Sequence, residues 1–350
     1  MSTPTRPSQE TPQEKKVSAD PAAPSVSPIR RVLSGIGVQN SSLIITLVAL
    51  VILLSVLNDN FFRTNNLLLI GSAITIMGLL ALVQTLVIIL GALDISVGSM
   101  AGLASVVSAM VYTSTGSSEL GILAAVGIGI VCGLVNGMII IFGRVNPVVA
   151  TLAMLATYKG VAQVVSDGKA QGYTGADDLF IFLAKGSIAG LPSLVWVFLI
   201  VAAILHFLLK YTDIGRNVYA IGGNDTAARL AGININRYII GVYALVGVVA
   251  AIAGVLITAR TGSGQPTSGS EGLELQAVTG AALGGTMLKG GKGSIISTML
   301  AVLILGVLDN GMSGLGINPF WQNIAHGLLL VIAVVLQQLR SGERRVGLPE

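Results

Sequence analysis

The sequence predicts an all-α polytopic membrane protein with about ten transmembrane helices and both termini in the cytoplasm. Its 350 residues are 53% hydrophobic and only 10% charged, and the mean hydropathy is +0.83. Soluble domains carry about 25% charged residues, so this chain cannot cover a water-facing surface. Apolar runs long enough to cross about 30 Å of hydrocarbon recur from residue 42 onward. Within lipid each backbone polar group must be satisfied inside its own segment, which favours helices.

The first segment, residues 1–40, differs from the rest of the chain. It holds six of the eleven prolines among Ser, Thr, Gln and charged residues. Such a composition buries too little apolar surface to offset chain entropy, so we expect a disordered cytoplasmic tail. The membrane domain is predicted over 41–340, followed by a cytoplasmic C-terminal tail over 341–350. The ten predicted spans are 42–57, 67–90, 98–114, 120–142, 147–165, 193–210, 238–259, 273–288, 294–312 and 319–338.

The positions of the cations support this count. Ten spans place both termini on one side of the membrane and alternate the connections between the two sides. Fifteen of the 20 Lys and Arg residues then share one side, which the positive-inside rule assigns to the cytoplasm. These fifteen are Arg6, Lys15, Lys16, Arg30, Arg31, Arg144, Lys210, Arg216, Arg229, Arg237, Lys289, Lys292, Arg340, Arg344 and Arg345.

Several classes of chemistry are missing from the sequence. Its single cysteine, Cys132, and its two histidines exclude a disulfide framework and predict no metal site. A P-loop requires the pattern G-x-x-x-x-G-K-[ST]. Before Gly291-Lys292 that pattern fails, because Thr286 replaces the first glycine and Gly293 follows the lysine. We therefore expect no catalytic residues, no cofactor bound by this chain and no nucleic-acid partner.

The connection over about 211–237 is the most structured of the soluble segments. Gly222-Gly223-Asn224 is a turn signal, and Asn224 or Asp225 is placed to cap a short helix over Thr226–Leu230. Gly232 follows at a position suited to ending that helix. A short capped helix of this kind either docks into a groove on a partner or simply closes a surface loop.

Four segments resemble one protein family when they are taken together. The chain is similar to the membrane-spanning permease subunits of bacterial ABC importers for monosaccharides, the ribose/xylose/galactose/autoinducer-2 branch. The similarity covers roughly 40–340. The segments are Gly91–Ser99 (family pattern GGIDLSVGS), Asn146–Gly160 (PxFIATLGM…YRG), Gly215–Ile233 (GRxxYAxGGNxxAARLxGI) and Leu283–Ser294 (LGGTSLxGGxGS).

The resemblance implies a permease in the bacterial inner membrane that forms the pathway for a monosaccharide or related polyol. It also implies partners: ABC ATPase subunits that bind ATP and Mg, a second permease copy or homologue, and a periplasmic or lipid-anchored sugar-binding protein. In this family the 211–237 connection meets the ATPase, and Gly222 and Gly232 are expected to form its turns. The residues expected to serve in this coupling are Gly215, Arg216, Gly222, Gly223, Asn224, Asp225, Ala228, Arg229 and Gly232.

Three polar residues lie close to the second and fourth spans. Asp94 and Ser96 follow the second span in a Gly/Ser-rich turn. They either line a pathway at a broken helix, or Asp94 is a solvated residue that caps the helix starting near Ser96. Asn136 lies beside the stripe Gly129, Gly133 and Gly137, which we interpret as a helix-packing face. Asn136 itself either lines the pathway or forms hydrogen bonds between helices.

Three further polar residues lie within the later spans. Lys159 and Asp309 are charges within predicted spans, and each requires a partner or water because a charge there costs at least about 2.5–3.5 kcal/mol. Asp309 and His326 lie on consecutive spans and are predicted to pair. Two alternative functions stay open: a permease of the related branched-chain amino acid or nucleoside branch, and a stand-alone secondary transporter with Lys159, Asp309 and His326 as its ion relay.

Overall fold

The computed structural model describes residues 38–172, 177–267 and 270–341. Most of both predicted tails lies outside these ranges, although residues 38–40 already belong to the first helix. The helices are α1 (Val38–Leu57), α2 (Thr64–Ile89), α3 (Val97–Thr115), α4 (Ser118–Phe142), α5 (Pro147–Val165), α6 (Asp178–Lys185), α7 (Ser193–Tyr211), α8 (Asp213–Gly223), α9 (Asp225–Leu230), α10 (Ile235–Thr261), α11 (Leu273–Leu283), α12 (Ile295–Gly314) and α13 (Phe320–Ser341).

Among the described residues, nine helices are long and apolar enough to span a membrane, which confirms the all-α polytopic fold. They are α1 to α5, α7, α10, α12 and α13. Their order and positions follow the predicted spans, with one exception: the eighth predicted span, 273–288. Its helix α11 ends at Leu283 and has only 11 residues.

The eighth crossing is discontinuous, and the prediction of a full helix there is wrong. At 1.5 Å per residue α11 is about 17 Å long, well short of the bilayer thickness. It ends at Gly284-Gly285, where Gly285 adopts a left-handed backbone with φ of 78°. The described non-helical residues on either side of α11, 265–267, 270–272 and 284–294, continue this passage through the bundle.

The two ends of this crossing identify the two faces of the bundle. The strand β4 (Ser263–Gly264) pairs in antiparallel fashion with β1 (Gln171–Gly172), at the end of the bundle where α3 terminates. At the other end, Gly291 N donates to Ile89 O at 2.8 Å, beside α8. We call the end with α8 and α9 the connector face, and the other end the opposite face.

The first described helix begins at the connector face, and the last described helix ends there. Near the start of α1, Asn40 Oδ1 accepts a hydrogen bond from Ser297 Oγ of α12 at 2.6 Å. Near the end of α13, Gln337 Nε2 donates to the carbonyl oxygens of Ala282 and Thr286 at 3.0 and 2.9 Å. The arrangement agrees with an even number of crossings between residues 38 and 341.

Close packing of α4 on α10 holds the centre of the bundle together. A Cβ on Gly133 would overlap the carbonyl oxygen of Tyr243, and one on Gly129 would overlap that of Gly247. The small-residue stripe therefore allows the two backbones to approach closely, as expected for helix packing in membranes. Burial falls towards the periphery of the bundle. In α2, 89% of the residues in its apolar 18-residue stretch are buried, whereas in α13 only 11% are.

The opposite face carries small elements that the sequence did not predict. Helix α6 lies in the 166–192 connection and is capped by Asp177, whose Oδ1 accepts from Leu179 N at 2.9 Å. Its Phe180 is fully buried and packs edge-on against Tyr112 at 5.4 Å between ring centroids. The strands β2 (Ser187–Ile188) and β3 (Leu191–Pro192) form a hairpin before α7.

Candidate functional site

The connector between α7 and α10 contains two helices where the sequence predicted one. Helix α8 begins at the cap residue Thr212, whose Oγ1 accepts from Gly215 N at 3.3 Å. It continues through Gly222 and Gly223, so only Asn224 of the predicted turn Gly222-Gly223-Asn224 lies outside the two helices. The chain turns one residue later, at Asn224.

Asn224, rather than Asp225, caps the second connector helix. Its Oδ1 accepts a hydrogen bond from Ala227 N at 2.9 Å, the geometry of an N-cap. Helix α9 then runs to Leu230, and Gly232 follows in a left-handed conformation with φ of 83°. The predicted short helix and the predicted role of Gly232 at its end are thus found in the structure.

The end of α8 packs directly against the membrane helices. A Cβ on Gly222 would overlap the carbonyl oxygen of Ile89 and would lie 2.7 Å from Gly291 N. Tyr219 OH donates to Gly293 O at 2.9 Å. Burial raises the pKa of the Tyr219 hydroxyl, which keeps this donor protonated. The connector therefore contacts both the end of α2 and the segment that links α11 to α12.

The remaining surface of α9 faces solvent. Ala228 is buried, whereas Arg229 is exposed and Leu230 is 85% exposed. Arg216 of α8 is also exposed and forms an ion pair with Asp213, one turn earlier. A basic residue next to an exposed leucine on a capped helix offers both a charged and an apolar contact to a partner.

Asp94 is fully buried, so the interpretation as a solvated turn residue is wrong. Its Oδ1 accepts hydrogen bonds from Ser96 N at 2.8 Å and Ser96 Oγ at 2.6 Å. Asn136 Nδ2 lies 3.3 Å from Asp94 Oδ2 and donates to Ser96 Oγ at 2.8 Å. Burial raises the pKa of the Asp94 carboxyl, which lies in the connection between α2 and α3, and the hydrogen bonds oppose this effect.

Two tyrosines and a threonine from α5 and α10 extend the Asp94 network. Tyr158 OH lies 2.8 Å from Asn136 Oδ1, and Tyr243 OH donates to Leu93 O at 3.1 Å. Ile95 N donates to Thr151 Oγ1 at 3.2 Å. The turn after α2 is thereby fastened to α4, α5 and α10. No role was predicted for Tyr158 or Thr151 from the sequence, although both lie in the Asn146–Gly160 motif.

Lys159 forms an ion pair with Glu271, for which no role was predicted from the sequence. Its Nζ lies 2.8 Å from Glu271 Oε1, and the two side chains are 35% and 69% exposed. Glu274, one helical turn later, lines the same cavity. The only sequence signal for these partners is the presence of two carboxylates at the start of an apolar span.

His326 and Asp309 lie together between α12 and α13. His326 Nε2 is 2.9 Å from Asp309 Oδ1, and both side chains are largely buried. The direction between these two atoms does not suit a hydrogen bond. Lys159 is not part of this pair, because its Nζ is bonded to Glu271.

Comparisons with known proteins agree with this architecture. Residues 66–334 match the family described as "Branched-chain amino acid transport system / permease component". The ribose import permease protein RbsC of Escherichia coli K12 is 38% identical over 314 residues, covering 89% of this chain and 98% of RbsC.

Two further relatives show similar coverage. RbsC of Bacillus subtilis 168 is 37% identical over 83% of this chain and 90% of its own length. The L-arabinose transport system permease protein AraH of Escherichia coli K12 is 37% identical over 87% of this chain and 92% of its own length. No solved structure matches the chain significantly. The chain therefore belongs to this family of multi-pass bacterial inner-membrane transport permeases, which it matches over residues 66–334.

Proposed function

We propose that this chain is the membrane-spanning permease subunit of an ATP-binding-cassette importer and forms the pathway for a monosaccharide or related polyol. The observation that carries the proposal is the similarity, over at least 83% of the chain, to permeases named for ribose and L-arabinose import. The family description names branched-chain amino acids. We favour a sugar because the relatives named for one cover nearly the whole chain.

The proposed partners follow from the same relatives and from the connector. Two ATPase subunits bind ATP and Mg and hydrolyse the nucleotide, so this chain itself is not the enzyme. A second permease, identical or homologous, completes the membrane unit, and a periplasmic or lipid-anchored sugar-binding protein delivers the substrate. In this scheme the connector face is the cytoplasmic face, in keeping with the cations placed there by the positive-inside rule.

Helix α9 is the proposed contact with the ATPase. Its exposed Arg229 forms charge-assisted hydrogen bonds with carboxylates or carbonyl oxygens of the partner, and Leu230 adds an apolar contact. Asn224 and Gly232 hold the two ends of this helix. The contact suits a short helix docked in a groove.

Helix α8 then passes a displacement of the connector to the bundle. Because Gly222 packs closely against the backbone of Ile89 and Gly291, a displacement of α8 towards the bundle pushes on both. Ile89 leads into the Asp94 turn, which is fastened to three other helices. Gly291 belongs to the segment that joins α11 to α12. The ATP-driven closure of the ATPase subunits is thus transmitted to two places. One is the hydrogen-bonded turn around Asp94, and the other is the discontinuous eighth crossing.

The alternative of a stand-alone ion-coupled transporter is less well supported by the geometry. It requires Lys159, Asp309 and His326 to act as one relay. Lys159 is bonded to Glu271, whereas Asp309 lies against His326. These are two separate pairs, each with its own local partner.

The ATPase contact is tested by co-purification of the permease with its ATPase from detergent extracts. Arg229→Glu should reduce the bound ATPase at least about tenfold, because it replaces an attraction with a repulsion at the proposed contact. Arg144→Glu is the matched control: it reverses an exposed charge in the connection between α4 and α5. Equal retention of ATPase by both variants would refute the assignment of α9.

A further inference from the structure

A group of polar side chains lies at membrane depth on one side of the bundle. Lys159 is about 18 Å from the start of α5 at Pro147 and about 9 Å from its end at Val165, at 1.5 Å per residue. Its partner Glu271 lies just before α11, and the described residues 263–267 and 270 run along α3 from the opposite face. The pair is therefore well inside the bilayer.

Contacts with α3 show how deep this segment lies. A Cβ on Gly102 would lie 2.6 Å from Ser270 Oγ, and one on Gly98 would lie 2.8 Å from Ser270 O. Gly102 is about 20 Å from the end of α3 at Thr115, and Gly98 is about 26 Å from it. Residues around Glu271 and Glu274 thus lie deep between the two faces, at the start of α11.

These charges are exposed at membrane depth, and the cost of placing a charge in hydrocarbon excludes a position that faces lipid. A single charge near the centre of hydrocarbon is unfavourable, and polar residues in spans normally face the bundle interior or water. Lys159 and Glu271 nevertheless expose 35% and 69% of their side chains. Water on the surface they share satisfies both charges, and a water-lined cavity is also a setting in which non-helical backbone is tolerated at this depth.

Three neighbouring cavities extend this surface. The first, of about 80 Å³, is lined by Lys159, Glu271 and Glu274. The second, of about 570 Å³, shares Glu271 with the first. The third, of about 370 Å³, shares Gln276 with the second and reaches Asp309. The second cavity is within the size range of ligand sites; its polar lining residues are Glu271, Gln276, Thr279, Asn323 and His326.

We propose that the side chains of Lys159, Glu271, Gln276, Thr279, Asn323 and His326 line the hydrated pathway through which a neutral polyhydroxylated solute passes. The assignment rests on the proposed function and names the surface that carries it out. Amide, hydroxyl, carboxylate and ammonium groups together supply both donors and acceptors, as a polyol requires. Lys159 and Glu271 are hydrogen-bonded to each other and partly exposed. They can therefore exchange this bond for hydrogen bonds to the hydroxyls of a solute, and re-form it afterwards, without leaving a buried charge unpaired.

Cysteine accessibility tests this assignment without requiring ATP or any partner. The native Cys132 is buried, so a Cys132→Ser chain provides the background. Leu275→Cys introduces a thiol at a 58% exposed leucine that lines the second cavity. Ile204→Cys is the matched control, an isoleucine 57% exposed on α7. A membrane-impermeant methanethiosulfonate reagent is added to the full-length protein in liposomes.

The expected result is that Leu275→Cys reacts at least about tenfold faster than Ile204→Cys, because the reagent requires a hydrated thiolate. Asn323→Cys, in the same cavity, should react like Leu275→Cys and serves as a second probe. Ribose or L-arabinose should slow both reactions. Equal rates at positions 275 and 204, or no slowing by either sugar, would overturn the assignment.

The outcome is separable from that of the proposed function. Rapid labelling at position 275 in a chain whose uptake needs no ATPase would leave the pathway intact and refute the ABC coupling. Absent labelling in a complex with ATP-driven uptake would refute only the pathway residues.

Discussion

The contact at Gly222 offers the sharpest test of how the connector acts on the membrane helices. Gly222 and Gly223 are adjacent, and both have helical backbones within α8. A Cβ at position 222 would meet Ile89 O and Gly291 N, whereas a Cβ at 223 would meet nothing within 4 Å. Gly222→Ala and Gly223→Ala therefore add the same methyl group to the same helix, one into backbone and the other into open space.

The expected magnitude follows from overpacking. Neither Ile89 O nor Gly291 N can move aside as a flexible side chain would, so α8 must shift away from the bundle. Inserting one carbon into a filled contact costs about 1–3 kcal/mol. At 1.4 kcal/mol per factor of ten, the docked position of α8 is depopulated about 5- to 140-fold. Gly223→Ala should be neutral or slightly favourable, because alanine favours the helix over glycine.

The assay compares ATP hydrolysis and solute uptake by the two variants reconstituted with their ATPase and binding protein. We expect Gly222→Ala to retain ATPase binding through α9 but to lose most of its uptake per ATP hydrolysed. Gly223→Ala should match the unmodified chain in both measurements. If the two variants transport equally well, the connector does not act through its contact with Ile89 and Gly291.

Three further predictions concern the fold around this contact. Asp94→Ala should lower the thermal midpoint of the purified protein by several degrees, because it leaves the Ser96 amide without its buried acceptor at about 1–3 kcal/mol, whereas Asp59→Ala, at an exposed residue, should not. Gly133→Leu should abolish the yield of monodisperse protein, because α4 can no longer approach α10. Asn224→Ala should cost α9 about 1 kcal/mol and weaken co-purification of the ATPase several-fold, with an unchanged helical circular dichroism spectrum.

Much of the fold was predictable because lipid leaves few options for a backbone. Apolar runs and the cation distribution together gave the order of the crossings. The stripe of Gly129, Gly133 and Gly137 indicated a packing face, and its partner proved to be α10. The eighth crossing was different. Its residues 273–288 are apolar enough for a full helix, but Gly284-Gly285 turns the chain against Thr298 of α12, a contact that hydropathy does not report.

The candidate site was only partly predictable, for a related reason. Local signals such as the Asn224 cap depend on a few neighbouring residues and were found where expected. Lys159 and Glu271 are separated by 112 positions, and their contact depends on how the segment before α11 descends along α3. Gly222 was taken for a turn residue because glycine pairs usually mark turns. Its actual use, a close backbone approach to Ile89, depends on tertiary packing.

Uptake of labelled ribose or L-arabinose into proteoliposomes tests the central claim most directly. The permease is reconstituted alone, with its ATPase, and with both the ATPase and the sugar-binding protein. We predict accumulation against a gradient only in the complete system and only with hydrolysable ATP. Accumulation by the permease alone, driven by a proton or sodium gradient, would contradict the account.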